Sequence, residues 1–468
     1  MSDETPNPAE TEETIATEGD DGSFALPQKL FDDVLDAVEE GDAARVDMIL
    51  EPLHAADIAD LLEQLDFRDR RALLEIWTGM DGEILSELDD NLREEVIAEL
   101  PADQLAEAVR ELESDDVVDL VEDLEDAQQE AVLASLEAAD RIVVEKALAY
   151  PEYSAGRLMQ VEIVRMPEDW NVGQAIDFMR GEDNLPDQFY HVVLIDARLK
   201  PRGYVTLGRI LSNRREVLLK DLAEESFRTF HVEDDQGDVA YAFNQYHLIS
   251  APVVDDEERL VGVITIDDAM EVLDDEAEED ILRLAGVGTE SEISDSIRET
   301  LRQRLPWLAV NLLTAIIASA VISIFDETLA AVVALAILMP IVASMGGNAG
   351  TQSLTVAVRA IATRDLTGSN VWRVLRREMV VGLVNGLIFA VVMAGVGILW
   401  FGSPALGAVI AAAMVINLVV AGLAGMGIPV LLDKMGVDPA LASGTFVTTV
   451  TDVVGFFAFL GLAAMVLL

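Results

Sequence analysis

The chain has 468 residues, with 86 Asp and Glu against 31 Lys and Arg and a formal net charge of −55 at pH 7. Such a balance repels nucleic acid and attracts cations, so no nucleic-acid partner is expected. With no cysteine, disulfides, thiolate metal sites and thiol nucleophiles are excluded. The four histidines, His54, His191, His231 and His247, are scattered without i,i+4 pairing and predict no histidine metal site. The charge is lopsided. From Trp307 onward seven acids face six bases, so −54 of the −55 lies before that point. Lysine occurs only at Lys29, Lys146, Lys200, Lys220 and Lys434. This is the composition expected of a protein adapted to concentrated salt, with a halophilic archaeon as its source, and on such a surface a single carboxylate is a weak sign of a site.

In chain order, residues 1–25 form a polar, acidic tail that reads as disordered and carries no signal peptide. Residues 26–150 predict short helices with apolar stripes, among them His54 to Leu65, Asp89 to Leu100, Pro101 to Leu112, Ser114 to Leu124 and Asp126 to Leu136. Several open on an acid or Ser suited to an N-cap. Their near-regular period predicts a superhelical stack.

Residues 151–275 change texture. β-branched runs such as His191 to Ile195 and Leu260 to Ile266 alternate with amphipathic helices, and Arg202 to Ile210 lines up with Val261 to Ala269 at an offset of about 59 residues. Two copies of a small α/β unit are expected, over 151–213 and 214–275. They resemble a pair of cystathionine-beta-synthase-like (CBS) modules, with Ser154-Ala-Gly-Arg-Leu-Met159 as the opening signature. That resemblance implies ligand sensing without chemistry, and admits a nucleotide such as ATP, although no Gly-rich phosphate loop is present. Residues 276–305 predict one long charged connecting helix.

Residues 306–468 are almost continuously apolar. Five spans are expected: Trp307 to Phe325, Leu329 to about Thr355 with Pro340 inside, Met379 to Phe401, Ala405 to Leu432, and Leu441 to Leu468. The connections Asp326 to Thr328 and Gly402 to Pro404 lack bases, whereas Arg359 to Arg377 holds five and Lys434 lies in the last loop. The positive-inside rule then puts the N-terminus in the cytoplasm and the C-terminus outside a cell membrane. The fold class expected is multidomain: a five-span α-helical bundle, a cytoplasmic helical superhelical domain and an α/β pair.

Asp452 is the informative residue of the bundle, an acid deep in the last span with no other acid well inside a span. A carboxylate at membrane depth is costly unless it faces water, a cation or a partner, so a site is the default reading. The bland alternative is a hydrogen bond to Thr448, Thr449 or Thr451. A second feature is the segment Met339 to Ser353, where Gly346, Gly347 and Gly350 crowd around Asn348. Broken or Gly-rich backbone at such a place is tolerated where it lines a cavity, and this pore-lining reading is favoured over the bland one of tight packing between small residues. A lone carboxylate suits Mg2+, which keeps most of its waters and touches one or two carboxylates, and two copies of the chain would bring two Asp452 together. An aspartyl enzyme would need a second intramembrane acid, so no enzyme is expected.

The domain order, together with Gly346-Gly-Asn-Ala-Gly-Thr-Gln352, Asp365 after Ala360 to Arg364, and Asp438-Pro-Ala-Leu-Ala-Ser443 followed by Thr451-Asp-Val453, resembles the MgtE family of magnesium channels over nearly the whole chain after the tail. The resemblance implies a homodimeric Mg2+ channel closed by cytoplasmic Mg2+, with Asp452 as the pore carboxylate and Gly346, Gly347, Asn348, Gly350 and Thr448 along the path. It also implies regulatory Mg2+ sites at Asp115 and Asp119 in the helical domain and at Asp268, Glu271, Glu276, Glu279 and Asp280 on the second CBS module and the connecting helix. Asp115 and Asp119, like Glu276 and Asp280, stand at i,i+4 on one helix face, where opposed acidic faces repel and a divalent ion would join them. Thr351 and Gly444 depart from the family's pattern, as does His247, where an acid is expected. The alternatives are another divalent cation (Co2+, Ni2+ or Ca2+) and a membrane-anchored CBS sensor that transports nothing.

Overall fold

The computed structural model describes residues 26–468 apart from 123, 125, 183–184, 187–188, 225–226 and 289–296, so the acidic tail lies outside the described residues. The chain divides into two compact units, Met1–Asp274 and Asp275–Leu468.

Among the described residues, the first unit begins with ten helices between Gln28 and Ala147. Acidic caps set their starts: Asp42 accepts from the Arg45 amide, Asp66 from those of Arg68 and Asp69, and Asp81 from that of Ile84. At Ala55–Gln64 the cap is His54, whose Nδ1 accepts from the Ala56 amide at 3.3 Å. Alternate helices pack on one another, Ala55–Gln64 on Gly82–Ser86, that on Ala102–Glu111, and that on Asp126–Ser135. The apolar stripes thereby close one continuous core running from Leu26 to Ala147.

Two three-stranded sheets follow, β1 (Arg165–Pro167), β2 (His191–Ile195) and β3 (Pro201–Thr206), then β4 (Phe230–His231), β5 (Ser250–Val254) and β6 (Leu260–Thr265). In each, the first pair is parallel and the second antiparallel. The registers repeat: His191 faces Thr206 as Ser250 faces Thr265, and both ladders slip near their ends, at Leu194/Ile195 and Val253/Val254. His191 Nδ1 and Ser250 Oγ, 59 residues apart, meet at 2.7 Å, so equivalent positions of the two copies touch.

The expected split at residue 213 needs correction, because each module takes a segment from the other's side. Ala155 and Met159 lie in the core of the second module, and Gln160 pairs with Val263 through both backbone bonds at 2.9 Å. Leu219 lies in the core of the first, with the Val172 and Gly173 amides donating to the carbonyls of Val217 and Arg215. Periodicity locates the copies but cannot say which core a flanking apolar residue enters.

The expected single helix over 276–305 is also corrected. A helix runs from Ile266 to Ala285 and stops where Gly286 adopts φ +74°, a left-handed conformation that glycine takes without strain. The next described helix begins at Ile297.

Among the described residues of the second unit, five helices are long and apolar enough to cross a membrane: Thr300–Ser323, Ala334–Ala362, Val371–Phe401, Pro404–Lys434 and Gly444–Leu467, hereafter the first to fifth spans. A short helix, Asp326–Ala331, precedes the second span and delays its start. The third starts at Val371 rather than Met379, so Arg373, Arg376 and Arg377 ride on its first turns instead of a loop. The fourth span is the centre, packed on the second, third and fifth. Close approach is permitted by glycine: a Cβ on Gly386 would lie 2.9 Å from the Val415 Cα, and one on Gly397 2.6 Å from the Gly407 Cα. Despite Pro340 and its glycines, the second span is one unbroken helix from Ala334 to Ala362, so this stretch is Gly-rich rather than broken.

Candidate cation pathway and acidic clusters

Asp452 lies half-buried on the fifth span, with Thr448 one turn before it on the same face. The hydroxyls offered by the sequence as its partners are turned back on their own helix. Thr448 Oγ1 and Thr449 Oγ1 donate to the Thr445 carbonyl at 3.1 and 2.6 Å, and Thr451 Oγ1 donates to the Thr448 carbonyl at 2.9 Å. Among the described residues Asp452 makes no hydrogen bond or ion pair, so its oxygens keep their acceptor capacity for a cation or its water shell.

The Gly-rich stretch of the second span is the seat on which the fifth span rests. A Cβ on Gly347 would sit 3.2 Å from the Thr448 methyl, one on Gly350 would sit 2.5 Å from Val447, and one on Gly346 would overlap the Asn417 amide of the fourth span. Tight packing therefore describes Gly346 and Gly350, both buried. Asn348 is exposed and folds back, its Nδ2 donating to the Ser344 carbonyl at 2.8 Å. Thr351 and Gly444 are brought together, 3.8 Å separating the threonine hydroxyl from a Cβ placed on the glycine.

A second acid belongs to the bundle and was missed. Glu378 stands in the third span, where its Oε2 accepts from Ser353 Oγ of the second at 2.9 Å. The arginines just before it make the stretch read as a basic loop, which hid the helix.

In the first unit, the segment Ser114 to Asp119 comes against the start of the Ile266–Ala285 helix. Asp115 is 7% exposed, and burial, with Asp268 and Asp116 close by, raises its carboxyl well above the usual carboxylate range. Asp116, which the sequence reading did not select, is pushed up to about 7 by burial first and then by Asp268, Glu113 and Asp119. Burial raises Asp268 to about 6 even though its Oδ2 accepts from the Thr265 hydroxyl at 2.6 Å and amide at 3.2 Å. Glu113 is raised too, by burial and then by Glu162. Asp119 departs from this group to pair with Arg93. The structure thus joins Asp115 to Asp268 and adds Asp116 and Glu113, residues whose only sequence signal was adjacency to Asp115.

Glu271 and Glu276 lie exposed on the same long helix. At its last turns Arg283 pairs with Glu279 and with Asp438, which precedes the fifth span. Asp280 is pushed up to about 6 by burial and by Asp438, against the opposing pull of Arg283. Among the described residues no three His, Asp or Glu side chains are gathered closely enough to hold a metal ion as they stand. Unneutralised carboxylates hold one another apart, and an ion is what would let them close.

Three family models match: a divalent cation transporter model, MgtE, over residues 339–462, the MgtE intracellular N domain over 53–153, and a CBS domain over 219–275. The magnesium transporter MgtE of Enterococcus faecalis is 35% identical over 323 residues, covering 69% of this chain and 71% of the relative. That of Thermus thermophilus is 33% identical over 334 residues, covering 71% and 74%. A solved structure described as the cytosolic domain of the Mg2+ channel MgtE in complex with ATP is 27% identical, covering 52% of this chain and 99% of that one with a TM-score of 0.48. On its identity to these two transporters, each covered over more than two thirds of its length, the chain belongs to the MgtE family of divalent cation transporters.

Proposed function

We propose that this chain conducts Mg2+ across the cell membrane and that its helical and CBS domains sense cytoplasmic Mg2+ and close the path when it is high. The observation that carries the reading is Asp452, a carboxylate with no partner among the described residues, on a membrane helix seated against glycines. Mg2+ dehydrates reluctantly, so one acid per chain acting through the ion's waters is sufficient, and a homodimer would present two. Family membership and the naming of its relatives as magnesium transporters support the choice of ion.

In this reading the N-terminus is cytoplasmic and the C-terminus outside, supported by the bases gathered at the ends of the second and third spans and at Lys434. The tail is 1–25, the helical domain 26–150, the CBS pair 151–275 with its two crossed segments, and the connecting helix the stretch from 276 to Ala285. Regulatory Mg2+ belongs at Asp115, Asp116 and Asp268 and near Glu276, Glu279 and Asp280, a reading supported by the raised proton affinities of Asp115, Asp116, Asp268 and Asp280, which come from burial first and neighbouring carboxylates second. A nucleotide such as ATP is assigned to the CBS pair.

Flux into proteoliposomes tests this. Intact chain should carry Mg2+, and Asp452→Ala should fall to the level of empty vesicles while remaining folded. Undiminished Mg2+ flux in Asp452→Ala removes the pore assignment. Preference for Ca2+, Co2+ or Ni2+ over Mg2+ would change the ion, and no flux of any ion would leave an anchored sensor.

A further inference from the structure

Asn417 lies at the centre of the fourth span with none of its surface exposed. Its amide occupies a slot made by glycines of two other helices. A Cβ on Gly346 of the second span would overlap Nδ2, and one on Gly455 of the fifth would lie 2.9 Å from it. Nδ2 donates to the Val342 carbonyl of the second span at 2.8 Å, while Oδ1 is buried with no partner among the described residues. For packing alone, a buried amide with an orphaned oxygen is a poorer choice than an apolar side chain of the same branched shape, such as leucine. An amide kept there, with two helices shaped around it, fixes geometry instead.

The geometry it fixes contains the acid. Gly455 stands one turn beyond Asp452, and the same face of the second span receives Thr448 at Gly347 and Val447 at Gly350. Asn417 is thus the bracket from the central helix that sets the second and fifth spans in register.

We infer that Asn417 is the positioning residue of the permeation path: it holds Asp452 at the height where a hydrated divalent ion meets it. This rests on the reading of Asp452 as the pore carboxylate.

The test reconstitutes the full chain, Asp452→Asn, Asn417→Leu, Gly455→Ala and the double variant Asn417→Ala/Gly455→Ala, and measures Mg2+ and Ca2+ flux, half-saturating Mg2+ and monodispersity. Asn417→Leu fills the slot without a hydrogen bond, so it should stay folded at normal yield. Its Mg2+ flux should drop by about tenfold, the size one buried hydrogen bond can supply, and its Mg2+ over Ca2+ preference should fall with it. Gly455→Ala pushes the amide aside and should shift the preference the same way, and the double variant should perform no worse than Gly455→Ala, because the vacated slot accepts the new methyl. If folded Asn417→Leu keeps the wild-type ion preference and half-saturation while Asp452→Asn is dead, the inference fails alone. If Asp452→Asn conducts normally, the pore reading fails and takes the inference with it.

Discussion

Asp116 stands one position from a residue singled out by its spacing, yet it is the one whose carboxyl is pushed up to about 7. Its ordinary value is 3.8, so folding raises its proton affinity. The stability this group contributes is then fully present below about pH 4 and is lost as pH rises through about 7. In chelator, the thermal midpoint of the full chain should fall across that window, and added Mg2+ should restore it. Asp116→Asn should raise the midpoint at neutral pH by about 1–2 °C for each kcal/mol of charge burial and repulsion removed and flatten the pH response. A midpoint that ignores pH and Mg2+ alike would dismiss this cluster as a sensor. The i,i+4 spacing marked Asp115 and Asp119 as a pair. Only the fold shows that Asp119 goes to Arg93 while Asp115 and Asp116 meet Asp268.

At the scale of the helix, glycine content was legible but its meaning was not. Gly425 and Gly427 lie two residues apart in the fourth span. A Cβ on Gly425 would overlap the Gly350 carbonyl oxygen and come within 2.8 Å of the Ser353 Cβ, whereas one on Gly427 meets nothing within 4 Å. Backbone cannot swing away as a side chain can, so Gly425→Ala should cost roughly 1–3 kcal/mol of overpacking. Gly427→Ala should be neutral or gain up to about 1 kcal/mol of helix propensity. Folded yield and thermal midpoint in detergent measure both, and equal behaviour of the two variants would contradict the packing described. Boundaries were misjudged wherever charge sat on a helix, as with Glu378 behind its arginines, because amphipathic turns at a membrane surface read as loop.

For the whole chain, the connection between the second CBS module and the bundle is a helix ending at Ala285, beyond which Gly286 turns the backbone. Within the second unit its last turns are fastened by Arg283 to Asp438, and Leu284 packs on the cluster of Leu354, Val358, Ala440 and Val447. If closure works through this helix, Arg283→Ala should raise by roughly tenfold, a typical coupling energy, the internal Mg2+ needed to shut the path, leaving flux at low internal Mg2+ unchanged. Proteoliposomes loaded with graded Mg2+ would register the shift, and an unmoved closing concentration would free this pair of any gating role.

By itself the sequence determined the domain order, the duplication, the five apolar helices and the acid within the last of them, since composition and periodicity are local properties that burial enforces along the chain. The tertiary structure alone decided which carboxylates meet, which module each flanking segment completes, that the Gly-rich helix stays whole, and that Asn417 lies between Gly346 and Gly455. Those facts depend on approaches between residues far apart in the chain. No spacing records them, because charge repulsion and close packing act through space.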